Sequence, residues 1–227
     1  MKKVIIIFLL FISVSFAAYP AMIYLKKFDF DDNRALDKWG RMILNGQVKY
    51  LLMKRGNNGY VEALSEKACS ALYYKIGFKS KDYPLLSWKW RVLKFPNKSY
   101  AKTDKERDDY AARVYVIYPF LNFSSSKFIE YIWDKELPAG TLSDSPRGRN
   151  IKQIVVRSGE SKSEDWVSEN RNIYDDYVTA FGKKPNLSVG AIAIMCNADN
   201  TKTEAESLFD EIVIANETGL KRRLDER

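Results

Sequence analysis

Residues 85–93, Leu-Leu-Ser-Trp-Lys-Trp-Arg-Val-Leu, alternate apolar and polar side chains through most of their length. Successive side chains of a β-strand point to opposite faces of its sheet, so Trp88 and Trp90 share one face. Lys89 and Arg91 share the other face. The apolar neighbours of the tryptophans predict that their face packs in a core, and a sugar-stacking surface is the alternative. The stretch therefore predicts a β-strand with one buried face.

Similar runs recur along the chain, separated by turn residues. Residues 55–59, Arg-Gly-Asn-Asn-Gly, predict a tight turn that joins two strands in a hairpin. Runs rich in Val, Ile, Tyr, Phe and Trp predict strands near 26–30, 47–54, 59–65, 70–77, 85–93, 111–119, 127–133, 150–157, 189–196 and 208–215. Many short strands with regular turns are typical of sandwiches and jelly rolls. The predicted fold is mainly β, a two-sheet antiparallel jelly-roll sandwich.

One segment has a helical pattern. Ser161 and Glu164 match a capping box. Five side chains at spacings of three to four residues then share one face of a helix: Val167, Arg171, Tyr174, Val178 and Phe181. Gly182 and Pro185 follow in the order expected at a helix end. We expect one crossover helix near 164–181 that packs on the sandwich.

The first residues predict export. Two lysines precede an apolar run of about 15 residues, shorter than the roughly 20 that a bilayer requires, and small side chains follow. A membrane anchor is the alternative. We expect residues 1–17 to be a bacterial signal peptide, with no stable membrane span after its cleavage. Residues 18–215 are then a single β-sandwich domain and residues 216–227 a polar tail. The mature protein is predicted to be periplasmic or secreted.

Composition excludes several classes of function. The net charge of +8 comes from scattered basic residues, so nucleic acid is not a predicted partner. The chain has no histidine, which excludes Ser-His and Cys-His nucleophile pairs and disfavours zinc sites. Its two cysteines, Cys69 and Cys196, lie in apolar strand-like runs. An oxidising compartment allows one disulfide between them, and two separately buried thiols are the alternative.

Six motifs lie in series along the chain: Leu86-Ser-Trp-Lys-Trp90, Asp108-Asp-Tyr-Ala-Ala-Arg-Val-Tyr-Val116, Ile154-Val-Val-Arg-Ser-Gly159, Ile173-Tyr-Asp-Asp-Tyr177, Gly190-Ala-Ile-Ala-Ile-Met195 and Asp199-Asn-Thr201. Together they resemble a family of exported bacterial proteins known as domain of unknown function 3047. The motifs cover most of the chain that follows the predicted signal. The resemblance implies an exported bacterial domain, and it brings no established activity or catalytic residues.

The two ends of the predicted domain carry a second resemblance. Residues 28–32, Phe-Asp-Phe-Asp-Asp, are followed by Trp39, and residues 209–214 read Phe-Asp-Glu-Ile-Val-Ile. These stretches resemble the first and last strands of galactose-binding-like jelly rolls, a fold shared by many carbohydrate-binding modules. The resemblance implies that the two ends pair and that a structural calcium lies near them.

The predicted calcium needs oxygen ligands. Alternation puts Asp210 on the same side as Ile212 and Ile214, so we expect it to point inward and to require a partner. Asp31 or Asp32 is expected to join it around the metal, and a backbone amide is the alternative partner. The candidate metal ligands are therefore Asp31 and Asp210.

Charged side chains on the strands predict a binding surface. We expect four cations, Lys89, Arg91, Arg113 and Arg157, to converge on one sheet face and bind carboxylate, sulfate or sugar hydroxyls. Ion pairs with local acids are the alternative. An acid pair, Asp109 and Asp199, is conceivable for glycan hydrolysis, although Asp199 also reads as a turn residue. The candidate ligand-binding residues are Lys89, Arg91, Asp108, Asp109, Arg113, Tyr115, Arg157, Asp199 and Asn200.

These patterns favour an exported, non-catalytic domain that binds carbohydrate or an anionic envelope glycan through a polar sheet face or rim loops. A carboxylate-based glycan hydrolase or lyase on the same scaffold is the first alternative. An envelope assembly protein is the second, and it would expose a broad apolar patch.

Overall fold

The computed structural model describes residues 21–160 and 165–217. Within these ranges the chain forms thirteen strands and one helix. The strands are β1 Met22–Phe28, β2 Gly40–Asn45, β3 Lys49–Arg55, β4 Asn58–Glu66, β5 Cys69–Phe78, β6 Leu85–Lys94, β7 Ala112–Tyr118, β8 Lys127–Asp134, β9 Leu142–Ser145, β10 Gly148–Ser158, β11 Val167–Asn172, β12 Val189–Asn197 and β13 Glu204–Glu217. The helix is α1 Ile173–Phe181.

Two sheets form the predicted sandwich. One has six strands in the order β11-β6-β13-β4-β3, with β1 also paired to β13. The other has seven strands in the order β2-β5-β12-β7-β8-β10-β9. The first and last strands pair, with Phe28 opposite Ile212, as the resemblance implied. The mainly β jelly-roll sandwich is confirmed, with one departure from antiparallel pairing: among the described strands, β8 and β10 run parallel.

The core lies between the sheets and is rich in aromatic rings. Trp88 and Trp90 are 1% and 0% exposed and stand edge to face, with ring centroids 5.3 Å apart. Trp88 packs on Tyr131 at 5.2 Å and Trp90 on Trp133 at 5.7 Å, which joins β6 to the opposite sheet. The prediction that both tryptophans pack in the core is confirmed.

The helix is shorter than predicted. It begins at Ile173, because the side chain of Asn172 caps it by accepting hydrogen bonds from two backbone amides of its first turn. It ends where Gly182 adopts a left-handed φ of 69°. Residues Val167–Asn172, predicted as helix, instead form β11 and pair with β6. The predicted capping box lies outside the described residues.

The two cysteines are free and buried. Cys69 packs with Ala71 and Met195 on the outer side of the seven-stranded sheet, whereas Cys196 lies in the central core. Since the thiols point to opposite faces of one sheet, they cannot form a bridge. Burial raises the pKa of Cys69 to about 11 and that of Cys196 to about 12.

Two observations bear on the predicted end of the domain and on the predicted lack of a membrane span. The last strand runs to Glu217, two residues beyond the predicted limit at residue 215. The helix of the described chain is too short and too polar to cross a bilayer.

Candidate functional sites

The structure separates the four cations that were predicted to converge. Lys89 and Arg91 alternate with the core tryptophans of β6, so they lie on the outer face of the six-stranded sheet. Arg113 lies on the outer face of the seven-stranded sheet, on the opposite side of the sandwich. Arg157 reaches from β10 to Glu169 of β11 and joins the edges of the two sheets (Nε to Oε1, 2.9 Å). The predicted convergence is wrong, because alternation fixes the face within a strand but not the sheet to which the strand belongs.

Arg113 is the centre of a buried polar cluster. It is 1% exposed, and its guanidinium donates to Glu130, to Asn197 (2.9 Å) and to the backbone oxygen of Asp108 (2.6 Å). It also lies over the ring of Tyr110, with the guanidinium carbon 4.4 Å from the ring centroid. Burial would lower the pKa of Arg113, but Glu130, Tyr115, Asp108 and Tyr110 together outweigh it and raise this pKa well above its usual value.

The carboxylates around Arg113 are also engaged. Gln153 donates to Asp108 at 2.9 Å and to Glu130 at 3.2 Å, and Tyr115 donates to Glu130 at 2.8 Å. Arg147, whose side chain is 30% exposed, donates to Asp108 at 2.9 Å and covers the cluster from the solvent side. The hydrogen bonds of this cluster therefore stabilise the folded state, and the cluster does not form an open binding surface.

The predicted acid pair belongs to the same cluster. Asn197 donates to Asp109 at 2.6 Å and to Asp199 at 3.2 Å. Asp109 also accepts from the amide and hydroxyl of Thr201, each at 2.7 Å, and from the side chain of Asn200 at 3.0 Å. Burial would raise the pKa of Asp199, but the hydrogen bonds from Asn197 and Asn45, together with the charge of Arg147 and a backbone hydrogen bond, outweigh it and lower this pKa. Asp109 is fully buried, so a glycan cannot reach this pair without opening the loops around it.

A second region brings together three other predicted residues, Lys89, Arg91 and Asp210. They line a pocket of about 280 Å³ on the outer face of the six-stranded sheet, here called the Trp166 pocket. Its lining residues are Arg55, Asn58, Tyr60, Lys89, Arg91, Trp166, Leu208, Asp210 and Glu211. The rings of Tyr60 and Trp166 meet edge to face, with centroids 5.6 Å apart.

Asp210 faces this pocket and not the core, which corrects the predicted direction. Glu211 adopts a positive φ of 47°, and the pairing of β13 with β6 shifts at this point. This β-bulge reverses the alternation, so Asp210 and Ile212 lie on opposite faces. Asp210 is 2% exposed as a residue, its carboxylate accepts from Asn58 (3.0 Å) and from the Glu211 amide (2.6 Å), and burial raises its pKa to about 6.

The candidate metal ligands do not fit calcium. Asp31 accepts from the Gly59 amide at 2.6 Å, a close approach that needs glycine because a Cβ there would lie 1.9 Å from the Phe30 carbonyl oxygen. Asp210 is bound by the neighbouring Asn58. Within residues 21–160 and 165–217, no group of three or more acidic, histidine or cysteine side chains is arranged to hold a metal. Both carboxylates therefore fasten the β3–β4 turn.

Two cationic groups of the Trp166 pocket differ in their partners. Lys89 donates to Glu211 at 2.6 Å. The Nε atom of Arg91 is buried and has no hydrogen-bond partner among the described residues. A buried donor without a partner costs about 1–3 kcal/mol. A ligand that draws the Arg91 side chain towards the pocket and accepts this hydrogen bond would recover that free energy.

A larger groove than the Trp166 pocket lies on the other side of the sandwich, on the outer face of the seven-stranded sheet. It has a volume of about 660 Å³ and is here called the outer groove. Most lining side chains are apolar or aromatic: Met42, Leu44, Ala71, Tyr73, Tyr115, Ile117, Pro119, Phe120, Phe123, Phe128, Ile151, Ala191, Ala193 and Met195. Its charged lining residues are two cations, Lys75 and Arg147.

Comparison with known proteins places the chain in a family. Residues 37–213 match the family described as Protein of unknown function (DUF3047). The chain belongs to this family. A search of curated proteins finds none that matches the chain.

Solved structures show weak likeness to this DUF3047 protein. TmCBM27, a carbohydrate-binding module described for specific mannan recognition, is 8% identical, with a TM-score of 0.37 over 87% of this chain and 99% of that chain. The CBM22-1 xylan-binding domain of Paenibacillus barcinonensis Xyn10C is 10% identical (TM-score 0.44, 87% and 96%). Endoglucanase Cel12A of Rhodothermus marinus is 9% identical (TM-score 0.45, 87% and 99%). Because these scores are low, the fold assignment of the DUF3047 chain rests on its strand pairing.

Sequence reasoning missed the outer groove of this DUF3047 chain. A signal was present in β12, where Ala191, Ala193 and Met195 make the outward face as apolar as the inward one. A strand that is apolar on both faces is expected to be covered on both. Trp166 was also missed, because it stands in a polar stretch without strand periodicity.

Proposed function

We propose that this protein is an exported, non-catalytic domain that binds carbohydrate or an anionic glycan in the Trp166 pocket. Export depends on residues 1–17 as a cleaved signal, which leaves a periplasmic or secreted protein. The observation that carries the binding proposal is an aromatic wall in the same pocket as a hydrogen-bond donor without a partner among the described residues. Trp166 and Tyr60 form the wall, and Arg91, whose Nε has no partner among the described residues, lines the same pocket as the buried acceptor Asp210.

The aromatic wall suits a sugar ring. Pyranose rings have an apolar face that packs on flat aromatic side chains, and Trp166 is partly exposed beside Tyr60. The pocket volume lies near the lower end of the range of about 300–1,000 Å³ found for ligand pockets. We therefore expect the pocket to hold a short segment of a glycan and not a long polymer.

The polar groups suit hydroxyl and carboxylate recognition. Arg91 and Lys89 supply donors, and a guanidinium binds a carboxylate or a vicinal pair of hydroxyls with two parallel hydrogen bonds. Asp210 and Asn58 supply acceptors on the same face. This combination of donors, acceptors and an apolar wall favours a uronic acid or a sulfated sugar over a neutral apolar ligand.

The test is glycan retention by the purified exported protein, first on a glycan array and then by titration calorimetry with the best glycan. Trp166→Ala and Arg91→Ala are expected to weaken binding at least tenfold. Lys94→Ala is the matched control, because Lys94 is a cation of the same strand that pairs with Glu204 outside the pocket. If no glycan binds, or if both pocket variants bind as well as the wild type, the proposal is wrong. N-terminal sequencing of the exported protein tests the cleavage, which should expose Ala18.

A carboxylate-based glycan hydrolase is the second candidate, and one observation favours it. Burial raises the pKa of Asp210 to about 6, while the adjacent carboxylate of Glu211 is ion-paired with Lys89. A protonated carboxyl beside an ionised one is the arrangement of glycosidases. Release of reducing ends from a glycan that binds, abolished in both Asp210→Asn and Glu211→Gln, would favour catalysis over binding alone.

A further inference from the structure

We propose that the outer groove is a second binding site, independent of the Trp166 pocket, and that it takes the acyl chain of a monomeric long-chain carboxylate. The occupant is a single-chain anionic amphiphile, with its chain along the sheet and its carboxylate at a cationic end. Three features of the groove carry this proposal: its apolar walls, its engaged hydroxyls and its charge.

The walls of the outer groove are apolar and suit an acyl chain. The floor comes from small side chains of β5 and β12, namely Ala71, Ala191 and Ala193, which are 8%, 9% and 2% exposed. Tyr73 and Tyr115 border them on the same face. The volume of about 660 Å³ lies well within the range of about 300–1,000 Å³ known for small-molecule sites, which are mostly apolar.

Two hydroxyls of the groove, those of Tyr115 and Ser126, are already engaged, which disfavours a glycan there. The hydroxyl of Tyr115 donates to Glu130 at 2.8 Å. The hydroxyl of Ser126 donates to the Asn122 carbonyl at 2.7 Å and accepts from the Phe120 amide at 2.9 Å. A sugar would lose its hydrogen bonds to water on entering and would find few partners. An acyl chain loses none.

The charge of the groove selects the head group. No carboxylate lines it, and its charged side chains are Arg147 and Lys75. Arg147 lies 3.7 Å from the Cys69 sulfur, and Lys75 stands six residues further along the same face of β5. At about 3.3 Å per residue, the two cations lie about 20 Å apart along the strand. Lys75 is exposed and has no ion-pair partner among the described residues, so it is the cation available to a carboxylate.

The borders of the groove provide an apolar entrance. Phe120 and Phe123 are 55% and 57% exposed on the loop between β7 and β8, and Leu121 between them is 86% exposed. Met42 and Leu44 stand on the edge strand β2 at the other border. Exposed apolar surface of this kind marks a binding region. A second copy of the chain is the competing occupant, and the test separates the two.

The test is calorimetric titration of the purified protein with octanoate, decanoate and dodecanoate below their micelle concentrations. Each CH₂ that enters the groove should strengthen binding about fourfold. Ala193→Trp and Ala191→Trp fill the floor and should each weaken binding at least tenfold. Leu93→Trp introduces the same side chain on the outer face of the opposite sheet and should leave binding unchanged, as should Trp166→Ala. Lys75→Gln should weaken dodecanoate about tenfold and leave dodecanol unaffected.

Four results would overturn the proposal. They are the absence of saturable binding, affinity that does not depend on chain length, full binding by both groove-filling variants, and binding to phospholipid vesicles without binding to monomeric dodecanoate. A dimer that dissociates in Ala193→Trp, in a protein that binds no amphiphile, would assign the groove to a second copy. Loss of glycan binding in Trp166→Ala bears only on the Trp166 pocket, so the two proposals fail separately.

Discussion

Arg91 and Arg113 occupy equivalent places in two strands, yet the fold uses them in opposite ways. Each alternates with buried apolar side chains, and each lies on the outer face of its sheet. Arg113 is covered by the loops around Asp108 and Asn197 and is bonded through all three guanidinium nitrogens. Arg91 borders an open pocket, and its Nε is buried without a partner among the described residues. Alternation selects the face of a side chain, but the loops decide whether that side chain braces the fold or binds a ligand.

The largest expected effect tests this difference directly. Arg113→Ala leaves the buried carboxylate of Glu130 without its cation and leaves Asp108 with Arg147 alone, so it should lower the free energy of unfolding by about 3–5 kcal/mol. Arg91→Ala, the matched variant on the other sheet, removes a group that is not fully satisfied and should cost less than about 1 kcal/mol. Urea unfolding followed by tryptophan fluorescence measures both. Equal losses in the two variants would contradict the contrast drawn between the two faces.

The second effect concerns pH and the open pocket. Burial raises the pKa of Asp210 in the folded state to about 6, against about 3.9 in an unfolded chain. The folded state therefore holds this proton more tightly, and the stabilisation is greatest below about pH 4. It is lost as the pH rises through about 6. Relative to Asp210→Asn, the wild type should lose about 2 kcal/mol of unfolding free energy between pH 4 and pH 7.

Urea unfolding of the wild type and of Asp210→Asn at several pH values between 4 and 8 gives the difference in their unfolding free energies. Glu211→Gln is the control, because it changes the adjacent carboxylate, whose side chain is 46% exposed. A constant difference between wild type and Asp210→Asn across this range would show that the folded carboxylate titrates normally.

Much of the fold could be predicted because alternation is a local property. The strands β3 to β6 lie within about two residues of their predictions, since their inward and outward side chains differ clearly in polarity. Three strands were missed: β11, which was predicted as helix, and also β2 and β9. β2 carries three consecutive apolar residues, Met42, Ile43 and Leu44, and so has no alternation. β9 is four residues long and mostly exposed.

The sites were harder to predict because they depend on contacts between distant segments. The bulge at Glu211 reverses the faces of β13, and nothing in the local sequence marks it. β11 was predicted as helix because its side chains also fit a helical period, and pairing with the free edge of β6 decided the outcome. Most of the predicted polar residues lie either in the closed cluster around Arg113 or in the open Trp166 pocket, whereas Arg157 pairs with Glu169 and Asp31 binds the Gly59 amide.

The smallest expected effect concerns the two faces of the seven-stranded sheet. Cys69 lies on the outer face beneath Arg147, and Cys196 lies on the inner face, so no disulfide joins them. Reductant should therefore change the free energy of unfolding by less than about 0.5 kcal/mol, whereas loss of a native disulfide costs about 2–5 kcal/mol.

Since burial raises both thiol pKa values, an aromatic disulfide reagent at pH 7 should label neither cysteine in the folded protein. It should label both in urea without reductant. A peptide that links the two cysteines after non-reducing digestion would mean that the two strands can rotate their side chains to one face, and the assignment of the outer groove would then need revision.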